Sequence, residues 1–289
     1  MAVQEVRASG LDYLELATDL LQRARLANPE AGLWEAADLQ WWWRLPRRSD
    51  AIEQVFWLDE QGPVAAVVLT EWKRAWGCDL LAVPGTSLVP LASMWARALQ
   101  AVEALELDVV EMLVRDDDSE LQRLLLRSGF VAGDRSGTTW MDARDRPAVA
   151  GLPEGFVLVD RDRAAPGPHP MRRRNGDAVE ARLRQCSLYD PALDLAIETA
   201  DGDAAGYALF WFDPVTAVGL VEPMRVEEAY QRRGLARALL TTGLERLARR
   251  GARRLKVGFG TAAARDLYVG VGFHVTTTDT SYTWRREPQ

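Results

Sequence analysis

The clearest periodic pattern in the chain lies in its second half. Between Gly234 and Arg250 apolar residues recur every three or four positions, and arginines occupy much of the rest. The apolar positions are Leu235, Leu239, Leu240, Leu244 and Leu247. This period predicts an amphipathic helix from about Gly234 to Arg250, which Gly251 ends.

Short runs rich in β-branched and aromatic residues surround this helix and predict a sheet. Strands are predicted at 155–162, 193–199, 204–212, 217–226 and 254–259. We also predict an arginine-bearing helical region at about 171–188, a short helix at 262–270 and a final hairpin.

The first half of the chain repeats part of this pattern. Residues 107–142 and 252–286 each predict a strand, a loop, a short helix, a Gly-Phe pair, a second strand, a turn and a strand ending in tryptophan. A repeat of this length indicates two similar α+β domains, at about 1–145 and 150–289. The stretch 142–155, rich in charge, Pro and Gly, is the predicted linker.

Composition narrows the functions open to these domains. The formal net charge is -7 at pH 7 and the pI is near 5.1, which argues against general nucleic-acid binding. With two histidines, and two cysteines far apart in sequence, neither a Cys/His zinc site nor a disulfide is expected. The apolar runs are too short to cross a bilayer, and no apolar segment follows a basic start. We therefore expect a cytoplasmic protein that uses no metal and binds neither nucleic acid nor membrane.

A basic segment interrupts this acidic chain where the long helix is predicted to begin. It consists of Gln231, Arg232, Arg233, Gly234, Leu235 and Ala236, followed by Arg237. The first N–H groups of a helix have no partner inside it, and glycine lets the backbone approach a ligand closely. The segment therefore suits a phosphate or pyrophosphate. The alternative is a solvated basic helix start with a glycine in a tight turn.

Two motifs in this half resemble those of the GNAT acetyltransferase superfamily. The segment 231–236 resembles motif A, Gln/Arg-x-x-Gly-x-Gly/Ala, and ARDLYVGVGF at 264–273 resembles A-x-x-L-Y-x-x-x-G-F. The tandem arrangement is similar to two-domain GNAT proteins of the mycothiol synthase type. The resemblance implies an α+β fold of two tandem GNAT-like domains, each a mixed, mostly antiparallel sheet flanked by helices. It also implies an acetyl-CoA site in the domain at 150–289.

The resemblance assigns roles along the predicted strand and loop. The segment 231–236, with Arg237 beside it, matches the loop that binds pyrophosphate mainly through backbone N–H groups. Met224, Arg225 and Val226 match the end of a splayed strand, whose backbone pairs with the pantetheine arm and offers an N–H to the thioester oxygen.

Further downstream, Tyr268 matches the tyrosine that protonates the departing CoA thiolate. The alternative is a tyrosine in the amphipathic packing of a short helix. Thr261, also on the cofactor side, stands where the superfamily often has Asn, and Glu228 stands where Pro is usual before the loop.

Amine acetylation also needs a base or a water relay, because most alkyl amines are protonated at pH 7. Glu222 lies four residues before Val226, so alternation places both on one face of the strand unless a bulge intervenes. The superfamily commonly uses a strand glutamate nearby, although in many members it lies two residues earlier, here Leu220. The alternative for Glu222 is a surface or structurally paired glutamate.

The first half lacks these motifs. Between 78 and 105 there is no Gln-x-x-Gly-x-Gly/Ala, and Leu125 stands where Tyr268 stands in the second half. Acidic residues at 116–118 cluster where a phosphate would approach, which is unfavourable. We expect the domain at 1–145 to be degenerate and not to catalyse.

Two segments allow two interpretations each. QWWWRL at 40–45 is either an aromatic wall at a domain interface or acceptor pocket, or a buried helix with one tryptophan exposed. MRRRNGD at 171–177 either receives an acidic acceptor or is a solvated charged face.

The resulting hypothesis is an acetyl-CoA-dependent N-acetyltransferase with its active site in the C-terminal domain. The acceptor, a small-molecule amine or a peptide N-terminus, attacks directly in a ternary complex, with Tyr268 and Glu222 as the catalytic residues. The alternative is a non-catalytic acyl-CoA-binding sensor or a partner-binding module.

Overall fold

The computed structural model describes residues 3–164 and 167–287, and its contacts divide the chain into two compact units. The first unit comprises Met1–Leu39, Pro46–Ser136 and Thr277–Gln289, and the second comprises Gln40–Leu45 and Gly137–Thr276. Each unit thus includes a segment from the other half of the chain. The predicted domains at 1–145 and 150–289 divide the chain at a single point, whereas the two units do not. The predicted domain boundary describes the repeat in the sequence, and it stays a prediction.

The sheet of the first unit has the strand order β1-β2-β3-β4-β5-β12. The pairs are antiparallel except for β4 and β5, which are parallel. The strands are Gln4–Ala8 (β1), Gln54–Asp59 (β2), Gly62–Trp72 (β3), Ala75–Ala82 (β4), Val109–Arg115 (β5) and His274–Arg285 (β12). Residues 274–276 of β12 belong to the second unit. The helices are Gly10–Ala27 (α1), Ala36–Trp42 (α2, whose last residues belong to the second unit), Leu91–Ala104 (α3) and Ser119–Arg127 (α4).

The sheet of the second unit has the order β6-β11-β10-β9-β8-β7. Only β10 and β11 are parallel, and the other pairs are antiparallel. The strands are Val131–Asp142 (β6, paired here from Gly137), Phe156–Asp160 (β7), Asp194–Thr199 (β8), Ala204–Asp213 (β9), Val218–Val226 (β10) and Arg254–Phe259 (β11). The helices are Arg172–Asn175 (α5), Val179–Leu183 (α6), Leu235–Arg250 (α7) and Ala262–Val269 (α8).

The predicted fold class is confirmed, because each unit is a mixed, mostly antiparallel sheet with helices packed on it. The strands and the long helix predicted in the second half lie within a few residues of their predicted bounds. The apolar stripe of α7 is buried along its whole length, and it packs on β8, β9 and β10.

The predicted final hairpin is wrong. Residues 274–285 form one continuous strand, and so do the corresponding residues 131–142. The threonines at 276–278 are β-branched and favour extended backbone. Gly133 and Gly137 in the first copy do not have positive φ, so neither glycine makes a turn in that strand. A single long strand results, and its two ends belong to different units.

The closest packing in the second unit lies between α7 and β9. Gly243 on α7 faces the ring of Phe210, and a Cβ at Gly243 would lie 2.0 Å from the ring Cζ. Phe210 is fully buried, so its ring cannot move into solvent. The absence of a side chain at Gly243 sets how closely the helix approaches the sheet.

Replacing this glycine should therefore destabilise the protein. Gly243→Ala should lower the free energy of unfolding by about 2 kcal/mol, since overpacking outweighs the roughly 1 kcal/mol that alanine adds in a helix. Urea unfolding measures the change. The control is Gly151→Ala, whose Cβ meets nothing within 4 Å. Equal stability of the two variants would contradict this account of the packing.

Candidate functional site

The candidate site lies where β10 separates from β11. The two strands pair only at Val218, Gly219 and Leu220, whereas β10 stays paired with β9 as far as Val226. The register between β10 and β9 shifts between Val221 and Met224. A bulge of this kind bends a strand, so the end of β10 leaves an opened edge beside β11.

The backbone of this edge is available to a ligand. The N–H of Glu227 donates to the carbonyl of Ala205 beside β9 at 2.9 Å. Backbone polar groups alternate in direction along an antiparallel strand, so Met224 and Val226 direct theirs away from β9. The Gln231 side chain indeed donates to the Val226 carbonyl at 3.2 Å. The predicted strand residues therefore present backbone groups at the opened edge.

The basic loop connects this edge to the long helix. Arg232 has φ +60° and Gly234 has φ +83°, and Gly234 is the N-cap of α7. No side chain caps the helix, and its first turn contains no acidic residue. A Cβ at Gly234 would meet nothing within 4 Å. The first N–H groups of a helix of this length thus face open space, as an anion site requires.

Three arginines surround this helix start. Arg232, Arg233 and Arg237 are exposed, and within the described part of the chain no carboxylate forms an ion pair with them. Arg233 and Arg237 each donate a long hydrogen bond of 3.4 Å to a backbone carbonyl, and the Arg233 guanidinium also lies 5.7 Å from the Tyr230 ring centre. Leu235 is buried and Ala236 is half-buried, so these two residues contribute backbone rather than side chain.

Tyr268 lies on α8 close to Glu222. Its ring is buried and packs edge-on against Phe273, with ring centroids 6.2 Å apart. Burial, and then the negative charge of Glu222, raise the pKa of Tyr268 above its usual value. The phenol is therefore protonated at neutral pH, and among the described residues its hydroxyl has no hydrogen-bond partner. The two residues predicted to catalyse thus lie within electrostatic reach of each other.

The bulge of β10 falls at Glu222 itself. The argument from simple alternation with Val226 therefore does not apply, because a register shift lies between the two residues. Glu222 is half-buried, and its carbonyl accepts a hydrogen bond from the indole of Trp211 at 2.7 Å. This contact holds the backbone of the bulge from the face of the sheet that lies opposite α7.

Thr261 has a local role in the structure. It is the N-cap of α8, and its hydroxyl accepts a hydrogen bond from the Ala264 N–H at 3.2 Å. Threonine is a favoured N-cap residue, so this contact accounts for it without a ligand. Its assignment to the cofactor site stays a prediction.

A groove of about 1320 Å³ lies in the second unit beside the end of β10. Helix α5, the segment before it, and the ends of β8, β9 and β10 line the groove. Tyr207, Arg174 and Glu227 lie in it. The sequence analysis offered the segment 171–177, which contains Arg174, as one that could receive an acidic acceptor, but it named neither Tyr207 nor Glu227. Their signal was weak, because they come from three distant segments of the chain.

The segment 40–45 packs inside the second unit. Trp41 and Trp43 are buried, Trp42 is half-buried, and the Trp43 indole donates to the Gln185 side chain at 2.8 Å. The guanidinium of Arg182 lies 3.4 Å from the Trp43 ring centre. Two of the three tryptophans are therefore core residues, in line with the buried-helix interpretation.

The corresponding region of the first unit differs. Strands β4 and β5 also pair over only two positions, but α3 follows Pro90 and carries no Gly-Arg loop. Leu125 is fully buried, and Asp116 accepts hydrogen bonds from Thr278 and Thr280. Asp116 thus anchors β12, whereas Asp117 pairs with Arg115 and Asp118 caps α4.

Two further findings concern metals and membranes. Within residues 3–164 and 167–287, no group of three or more His, Cys, Asp or Glu side chains is arranged to hold a metal ion. Over the same residues, every helix is too short or too polar to cross a bilayer.

Comparisons with known proteins give the site a context. Residues 161–273 match the model of the acetyltransferase (GNAT) family, and this range contains every predicted site residue. Over 139 residues, 47% of its length, the chain is 36% identical to a mycothiol acetyltransferase of Kineococcus radiotolerans. The match covers 44% of that relative, so it spans less than half of the relative's length.

Solved structures extend the likeness of fold to the whole chain. A tandem GNAT protein from the clavulanic acid biosynthesis pathway covers 99% of both chains with a TM-score of 0.69 and 17% identity. A GCN5-related N-acetyltransferase from Sphaerobacter thermophilus covers 99% of this chain and 96% of its own, with a TM-score of 0.64 and 17% identity.

The start of α7 should bind inorganic pyrophosphate. At ten times its dissociation constant, pyrophosphate should add about 1.4 kcal/mol to the free energy of unfolding. Gly234→Glu should lose this effect, because its carboxylate then occupies the space at the start of α7 and repels the anion. Thermal unfolding with and without pyrophosphate measures it.

The matched control is Gly155→Glu. Gly155 has φ +84°, close to that of Gly234, and a Cβ there also meets nothing within 4 Å. Both variants therefore carry the same backbone strain and charge. Equal stabilisation of both variants by pyrophosphate would show that the anion binds elsewhere.

Proposed function

We propose that this chain, whose residues 161–273 match the model of the acetyltransferase (GNAT) family, is an acetyltransferase of that family and transfers an acetyl group from acetyl-CoA to a primary amine. The active site is the opened edge of β10 in the second unit. The observation that carries this proposal is the uncapped start of α7, which has open space at Gly234 and three arginines without carboxylate partners.

The residues present fit acetyl-CoA. Gly234 leaves room that any side chain would fill, and the helix start provides N–H groups for a pyrophosphate. Arg232, Arg233 and Arg237 neutralise its charge. Met224 and Val226 hold the pantetheine arm through backbone groups that β9 does not use.

Two side chains of the site, Glu222 and Tyr268, each carry out one of the two proton transfers. Acetyl-CoA supplies the acetyl group as a thioester. As the amine nitrogen forms its bond to the acetyl carbon and the carbon–sulfur bond breaks, Glu222 takes a proton from the nitrogen. Tyr268 gives its proton to the departing sulfur, and no covalent intermediate with the protein forms.

The environment of Tyr268 suits this role. Its raised pKa keeps the phenol protonated while the thiolate leaves. A general acid must hold its proton at the working pH, which Tyr268 does, and it transfers that proton more readily the closer its pKa lies to that pH. The buried ring also keeps water away from the sulfur.

The acceptor is a small-molecule amine or a peptide N-terminus. The similarity to a mycothiol acetyltransferase over part of the chain supports the small-molecule class. The groove beside β10 provides space for an acceptor on the side of the sheet opposite α7. We propose that the first half of the chain is degenerate and catalyses no transfer of its own.

Removing the Tyr268 hydroxyl should slow transfer without weakening binding. In Tyr268→Phe we expect kcat to fall about a hundredfold, since general acids contribute on this scale, while KM for acetyl-CoA stays the same. Release of free thiol from acetyl-CoA, with a panel of primary amines, measures the rate.

The control is Tyr282→Phe, which removes a phenol that is equally buried but lies in the first unit. An unchanged kcat in Tyr268→Phe would exclude the proposed acid. Tight acetyl-CoA binding by the wild type, with no thiol release for any amine, would instead favour the sensor function.

A further inference from the structure

The groove contains a positive cluster that the acetyl transfer described above does not use. Arg174 donates to one oxygen of Glu227 at 2.9 Å, and Arg225 donates to the other at 3.2 Å. The two guanidiniums share a single carboxylate, which leaves one positive charge uncompensated. All three side chains are partly exposed and line the groove.

Tyr207 lies directly beside this cluster. It pairs with Arg225 across β9 and β10, so the two side chains stand on the same face of the sheet. Burial raises the pKa of Tyr207, although the charges of Arg174 and Arg225 oppose the shift. Its hydroxyl therefore keeps its proton at neutral pH, and it lies within hydrogen-bonding reach of Arg174.

A third guanidinium, that of Arg44, also acts on Tyr207. The segment 40–45 brings it there, where it donates to the Asn175 side chain at 2.7 Å and stacks 3.9 Å from the Trp41 ring centre. The tryptophan-rich segment thus positions a cation behind the cluster. The segment 40–45 therefore contributes both core tryptophans and the Arg44 guanidinium beside Tyr207.

Other charges of the groove are mostly compensated inside the unit. Arg172 pairs with Asp177, Arg161 with Glu180 and Asp160 with Arg246. Asp194 accepts hydrogen bonds from Tyr189 and His169. Two further arginines, Arg163 and Arg173, and three further acids, Glu198, Asp203 and Glu228, also line the groove. The groove as a whole is therefore not basic, and the attraction for an anion is local to the end of β10.

We propose that Arg174, Arg225 and Tyr207 bind an anionic group of the acceptor, which is therefore a primary amine that also carries a carboxylate or a phosphate. This inference rests on the proposed function. Arg225 lies three residues after Glu222, a distance of at most about 10 Å along a strand. The anion and the reacting nitrogen of the acceptor are accordingly separated by no more than a short linker.

Matched acceptors test this assignment. The probes are 4-aminobutyrate and 6-aminohexanoate against their amides, and 2-aminoethyl phosphate against ethanolamine. For the better of these anionic probes, kcat/KM should exceed that of its neutral partner at least tenfold, mainly through a lower KM. Whether a carboxylate or the phosphate gives the larger ratio identifies the anion.

Two variants locate the effect. Arg174→Gln should raise KM for the anionic acceptor about ten- to a hundredfold, the scale of a charged hydrogen bond, and leave the neutral acceptor unchanged. Glu227 keeps Arg225 as its partner in this variant. Tyr207→Phe should give a smaller loss of the same kind. The control is Arg163→Gln, an exposed arginine of the same groove outside the cluster.

Binding without turnover separates this inference from the proposed function. Calorimetry with 4-aminobutyrate, 6-aminohexanoate and 2-aminoethyl phosphate on CoA-saturated protein should show binding by the wild type and Arg163→Gln, and weaker binding by Arg174→Gln. If that pattern holds while no amine is acetylated, the anion site stands and the transferase function fails. If the wild type prefers no anionic probe in either assay, or if Arg174→Gln keeps the preference, the anion site is refuted.

Discussion

The separation of β10 from β11 after Leu220 is the constraint on which the rest of the site depends. Three paired positions hold the two strands together, and then the bulge at 222–223 bends β10 away. Without this separation, the backbone of Met224 and Val226 would be paired inside the sheet, since buried polar backbone groups are nearly always paired. With it, one edge of a central strand is free for a ligand.

The two faces of β10 then serve different purposes. Helix α7 packs on one face with its buried leucines, and Gly243 allows a close approach to Phe210. The opposite face of the sheet carries Tyr207 and Trp211 of the neighbouring β9. The indole of Trp211 donates a hydrogen bond to the carbonyl of Glu222 in the bulge. The close packing of α7 fixes the position of β10 on one face of the sheet. On the other face, Tyr207 and Arg225 line the groove.

Much of the proposed cofactor site could be predicted from the sequence, because its residues are close together in the chain. The start of α7, the Gly-Arg loop and the end of β10 lie within 14 consecutive residues, 222–235, where period and residue type are directly informative. Tyr268 was found from a short local motif. The bulge also had a signal in the sequence that the alternation argument did not use, because Pro223 lies inside the strand and proline is confined to strand edges and bulges.

The groove could not be predicted for a different physical reason. Arg44, Arg174, Tyr207 and Arg225 come from four segments, and only the tertiary fold makes them neighbours. The continuous strand at 274–285 was not predicted, because it forms by pairing with β5 at 109–115, which is far away in the chain. Local signals thus located the loop and helix, whereas long-range packing determined the groove.

The central claim is that the second unit alone binds acetyl-CoA, at the end of β10 and the start of α7. A calorimetric titration of the full chain with acetyl-CoA tests it most directly. The account predicts saturation at one acetyl-CoA per chain. Two per chain would mean that the first unit also holds the ligand despite lacking the loop, and no binding would contradict the account altogether.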